Sequence, residues 1–107
     1  MFRRLFDTSE IDSLATFVVE GLRRELPPER LGRRNGKADE RLAAHELQVA
    51  RRLSALAEAG GLNLYKKAKL GGIVKEALVG AGYPQDFVER YVGDLVALAA
   101  TAGLRKR

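Results

Sequence analysis

GGLNLYKKAKLGGIVKEALVGAGYP, residues 60–84, holds six of the chain's eleven glycines and four of its lysines. Three readings compete for it: a phosphate-cradling loop, a DNA-reading helix, or ordinary punctuation between helices. The apolar spacing favours the third. Leu64, Leu70, Gly71, Val74, Ala77, Leu78 and Ala81 share one face of a helix over 64–81,. Asn63 is suited to cap its start. Glycine inside a helix costs about 1 kcal/mol against alanine, so Gly71-Gly72 marks either a close helix approach or a kink. Gly82 then ends the helix and Pro84 opens the next, the usual order of these two residues. A tight helical hairpin is therefore predicted at Gly82–Pro84.

Working outward, the segment after Pro84 predicts a helix over 84–102. Phe87, Val88, Tyr91, Val92, Leu95, Val96, Leu98 and Ala99 cover half its circumference, the width expected of a central core helix,. Gly93, Ala97 and Ala100 make a strip of small residues on its other side. Upstream, residues 38–59 predict a helix. Leu42, Val49, Leu53 and Leu56 centre its apolar face, Ala43, Leu47, Ala50 and Ala57 widen it, and Gly60-Gly61 stops it,. A first helix is predicted over 10–25 from the stripe Ile11, Leu14, Ala15, Val18, Leu22 and Leu26. Ser9 is its candidate cap, acids lie near its start and Arg23-Arg24 near its end. Pro27-Pro28 terminates it, because proline lacks the N–H donor and restricts the residue before it. The loop after Pro28 is rich in arginine and contains the turn signal Asn35-Gly36. No alternating strand pattern or fixed-period repeat appears.

The expectation is an all-α, compact bundle of about four helices (10–25, 38–59, 64–81 and 84–102). Its 107 residues form one domain,, with flexible ends at 1–7 and 103–107. The chain has no cysteine. Disulfides, thiolate catalysis and cysteine-based metal sites are excluded, and a reducing compartment is favoured. No signal-like or membrane-length apolar run occurs. These features point to a cytoplasmic protein without membrane partners. Abundant Ala, Arg, Gly and Leu point to a bacterial source. Net charge is +5 and the isoelectric point about 9.9, enough to attract polyanions non-specifically.

Several motifs of chemistry start and fail. "HELQV" opens like a zinc-protease helix, but Val49 stands where the second histidine must be, and His45 is the only histidine,. His45 reads as a surface or boundary residue, while Glu46 projects toward the apolar stripe. "GRRNGKA" has three residues between its glycines, not four, and no hydroxyl after Lys37,. "GAGYPQ" replaces the third glycine of a dinucleotide fingerprint with Gln85,. The few hydroxyl residues occupy no strained glycine-flanked elbow. No catalytic residue, metal ligand or cofactor is predicted.

Two functional readings remain. The first is a non-enzymatic protein-interaction or regulatory helical module, able to self-associate through Gly93, Ala97 and Ala100. Small residues there admit close approach of a partner helix, and Phe2, Leu5 and Phe6, ahead of the first helix, either fold back on the core or offer a surface to a partner. The second is a nucleic-acid binder touching phosphates through Arg33, Arg34, Lys37, Lys66, Lys67 and Lys69. Against a helix-turn-helix, Lys67 falls where an apolar residue is required. Tyr65 is the only aromatic beside the lysines for base stacking. The two readings separate on whether the basic side chains at 30–37 and 66–69 share one side of the molecule.

Overall fold

The computed structural model describes residues 9–33 and 35–102. The terminal segments expected to be flexible, with Phe2, Leu5 and Phe6, lie outside the described residues, as does Arg34. The described residues form four helices, α1 (Ser9–Glu25), α2 (Gly36–Glu58), α3 (Leu64–Gly80) and α4 (Gln85–Ala102), with one 3-10 turn (Pro28–Arg30) between α1 and α2. None of them is in a strand. The all-α bundle is as the apolar spacing predicted.

The punctuation residues act by identifiable bonds. Asn35 caps α2 by accepting the Ala38 N–H, and Asn63 caps α3 by accepting the Lys66 N–H, each at 2.8 Å. Asn35-Gly36 therefore starts α2 two residues earlier than expected, where a turn signal and a helix cap coincide. Ser9 lies inside α1 and not ahead of it. Gly60 and Gly82 hold φ +77° and +100°, a conformation that costs other residues a Cβ clash. Beyond them, the Gly61 N–H bonds the Leu56 carbonyl and the Tyr83 N–H bonds that of Leu78. Carbonyls left open at both helix ends are thereby satisfied.

Packing follows a two-hairpin plan. α1 lies against α2 and α3, and α4 lies against α3 and α2. The consecutive pair α2 and α3 sits on a diagonal, joined by the short segment after Glu58. Gly61 beside Glu10 marks one end of the bundle. The Tyr83 hydroxyl, donating to the Leu26 carbonyl at 2.7 Å, marks the other. The body is elongated, 47 × 29 × 19 Å.

α1 is the most deeply buried helix: Ile11, Leu14, Ala15, Val18, Val19, Gly21 and Leu22 are all buried. The wide apolar face of α4 is thus not a sign of centrality. Val88, Leu95, Ala99 and Ala102 reach the core, while Phe87, Tyr91, Val92 and Leu98 are half-buried along two seams, against α2 and α3. Within α3, Gly71 is the close-packing glycine: a Cβ there would come within 2.9 Å of Val96 Cγ2. Gly72 faces open space, and the helix runs on through both.

Five local expectations fail. Leu64, placed on the core face, is 82% exposed, and Lys66 takes the buried position in that first turn. Leu47 is 52% exposed and Ala43 is also exposed, so neither widens the core face of α2. His45 is buried and Glu46 exposed, the reverse of the expectation. Successive helical residues differ by about 100° in direction, and a stretch this rich in alanine leaves the phase of its apolar face poorly marked.

Candidate functional site

One run of exposed small and apolar side chains lies on the outer side of the α3–α4 hairpin. Spacings of four and seven put Ala68, Gly72 and Val79 on one line of α3. Gly93, Val96, Ala97 and Ala100 make the matching line of α4. All seven are exposed, Val79 at 53% and Val96 at 36%. The lines flank the seam where Gly71 receives Val96 and Val92. The predicted strip Gly93, Ala97 and Ala100 is therefore exposed, with a second apolar line beside it that the single-helix reading missed.

The exposed charges of the two helices differ in sign: α3 carries Lys69 and Lys75 against Glu76, and α4 carries Asp86, Glu89 and Asp94 against Arg90. Glu89 accepts from Gln85 within its own helix, and Asp86 accepts the Phe87 N–H. Among the described residues, Lys69, Lys75 and Asp94 enter no ion pair.

The residues proposed to touch phosphate do not assemble. Arg33 and Lys37 are exposed in the loop and first turn of α2, at the end where Tyr83 meets Leu26. Lys66, Lys67 and Lys69 lie in the first two turns of α3, at the end where Gly61 meets Glu10. The helical rise places roughly 16 Å between Lys69 and Gly80 at the opposite end. Lys66 is 6% exposed, Lys67 half-buried and Lys69 exposed. Arg34 lies outside the described residues.

Two other arginines do gather, around Glu25 on the α1–α2 hairpin. Glu25 accepts from Arg41 at 2.6 Å and from Arg24 at 3.1 Å. These hydrogen bonds, Arg41 first, hold the Glu25 carboxyl below the usual carboxylate range. Arg52 sits 4.0 Å over the Phe17 ring, a cation–π contact,. The pairing joins residues far apart in sequence, so spacing alone offered no signal for it.

No acid–base centre forms around His45 and Glu46. His45 turns toward α1, where its ring lies 4.7 Å from that of Phe17. Glu46 acts electrostatically on Tyr91 of α4, on another flank of α2. Burial, foremost, and then Glu46 and Tyr83 push the Tyr91 phenol well above its ordinary range. Tyr83, Phe87 and Tyr91 stack in series, with centroids 5.3 and 5.9 Å apart. Burial likewise pushes the Tyr83 hydroxyl up to about 12. The cleft beside Pro27 and Pro28, lined also by Glu20, Arg23, Arg24, Glu29 and Ala81, is open and places no nucleophile beside a base,. Among the described residues, no three metal-ligating side chains cluster, and no helix is long and apolar enough to cross a membrane.

No family model matches the chain, and neither a curated protein nor a solved structure matches it.

Proposed function

We propose that this chain is a non-enzymatic, cytoplasmic interaction module of bacterial origin that docks through the outer face of α3 and α4, and that the partner is a second copy of itself. The observation that carries the reading is the exposed apolar face: Ala68, Gly72 and Val79 beside Gly93, Val96, Ala97 and Ala100. Charge argues for the second copy. In a two-fold interface the same patch meets itself. A related copy would set the lysine-bearing α3 of one chain over the acid-bearing α4 of the other, and electrostatic complementarity of this kind fixes register. Small residues at the centre let the two hairpins approach closely, while Val79 and Val96 supply apolar area to bury.

Light scattering or sedimentation across a concentration range tests it. The wild type should shift from monomer toward dimer as concentration rises. Ala97→Arg, which sets a long charged chain on the face without entering the core, should stay monomeric at unchanged helicity. A wild type that remains monomeric at the highest concentration removes the reading. The nucleic-acid alternative loses support from the separation of its two basic segments. Absence of binding to generic duplex and single strands at low salt would dispose of it.

A further inference from the structure

His45 is the chain's single histidine, and docking through α3 and α4 makes no use of it. Its imidazole is 4% exposed and rests on Gly21 of α1, where a Cβ would overlap the ring. Phe17 covers one side of it, and Arg52 covers Phe17 in turn. Nε2 is buried and has no hydrogen-bond partner among the described residues. A polar atom so placed is uncommon in folded proteins and calls for a reason.

We propose that His45 is an acid-sensitive latch between α1 and α2: the neutral imidazole fits the notch at Gly21, and the imidazolium does not. Protonation puts a new N–H donor on Nε2 with nothing to receive it, and a charge where burial disfavours charge. The charged groups around it come from both helices of the hairpin. Arg24 of α1 and Arg52 of α2 repel the imidazolium. Glu25 of α1 attracts it, but that carboxylate is already engaged by Arg41 and Arg24. Burial first, then the arginines, hold the histidine below its ordinary value, against the opposing pull of the Val18 backbone and Glu25. An opened hairpin therefore takes up the proton before the closed one does. The contact is at full strength above about pH 6.5 and is lost as pH falls through the lower folded value. The closed-to-open ratio falls by up to about tenfold per pH unit in that interval.

Because there is one imidazole, its NMR titration in the intact chain is unambiguous. A midpoint below 6.5 is expected; one at or above 6.5 overturns the latch. Urea unfolding at pH 7.5 and 5.5 supplies the second reading. The wild-type folding constant should fall between these pH values, and that of His45→Leu should fall less. Equal falls overturn the proposal. Amide protection factors locate the effect and need no variant. Acid should lower protection selectively around Val18–Leu22 and across α2 near His45. A uniform loss over all four helices speaks against a latch at this site.

Discussion

At the scale of single residues, Gly21 and Tyr83 carry the heaviest constraints, for opposite reasons. Gly21 is defined by what it lacks. Gly21→Ala would press a methyl group into the His45 ring, and overpacking of this kind costs about 1–3 kcal/mol. Chemical denaturation should show that loss. The displaced imidazole should also titrate nearer the ordinary histidine value, a response that general destabilisation would not produce. Tyr83 is defined by one bond, from its hydroxyl to the Leu26 carbonyl. The residues after Leu26 are two prolines, which contribute no N–H to this corner of the chain. Tyr83→Phe leaves that carbonyl short of a donor and should cost about 1–2 kcal/mol, read as a lower urea midpoint with the fold intact. The Tyr83 hydroxyl is held protonated by burial up to about 12. Its contribution is thus fully present below pH 10 and lost as pH rises through the folded value. Neither residue announces itself in the sequence. A glycine in a helix and a tyrosine after one are common, and only the fold brings His45 to the first and Leu26 to the second.

At the scale of elements, the adjacent glycines of α3 offer a matched pair of tests. Gly71→Ala places a methyl group 2.9 Å from Val96 Cγ2, closer than carbon atoms pack, and the α3–α4 seam must open to admit it. Gly72→Ala meets open space and removes the entropic cost of a helix-interior glycine. The first should lower thermal stability by roughly 1–2 kcal/mol; the second should raise it by about 0.5–1 kcal/mol. Equal effects from both would mean that α3 and α4 do not touch at Gly71. Both glycines were legible as a point of interest, because the surrounding leucines and valines keep helical phase through them. Which one is packed depends on the direction in which α4 approaches, a tertiary fact. Helix ends were easier to read, because Asn63, Gly60, Gly82 and the proline pair act on their immediate neighbours. The inner phase of α2 was harder. Ala43, Ala44, Ala50, Ala55 and Ala57 are apolar on every side of the helix, so the spacing puts Leu47 on the core face, turns Glu46 toward the apolar stripe and leaves His45 at the surface or boundary. A helix marked by leucine and valine, such as α1, admits no such confusion, and its stripe from Ile11 to Leu26 is buried throughout.

At the scale of the whole molecule, the arrangement of the two hairpins determines which charges can act together, and it also sets the sharpest test of self-association. The basic side chains at the two ends are set apart by roughly the 16 Å of helical rise from Lys69 to Gly80, about twice a Debye length of about 8 Å at physiological salt. They act as separate patches, whatever their sum. The charges on α3 and α4 are different, because these helices run side by side and their exposed charges are of opposite sign. Reversing Lys69 and Lys75 to glutamate would leave both helices acidic on their exposed sides, and like charges would then oppose in a two-fold dimer. The dissociation constant should rise, with the greatest change at low salt, while helicity and the unfolding midpoint stay close to wild type because both lysines form no ion pair among the described residues. Adding Glu89→Lys and Asp94→Lys to the same chain exchanges the signs and restores complementarity, so association should recover. Recovery in the fourfold variant separates docking of α3 on α4 from simple loss of positive charge. A binder of polyanions would lose affinity with the first pair of changes and regain it on any surface where lysine is added. The dimer regains it only where the added lysines face the new glutamates.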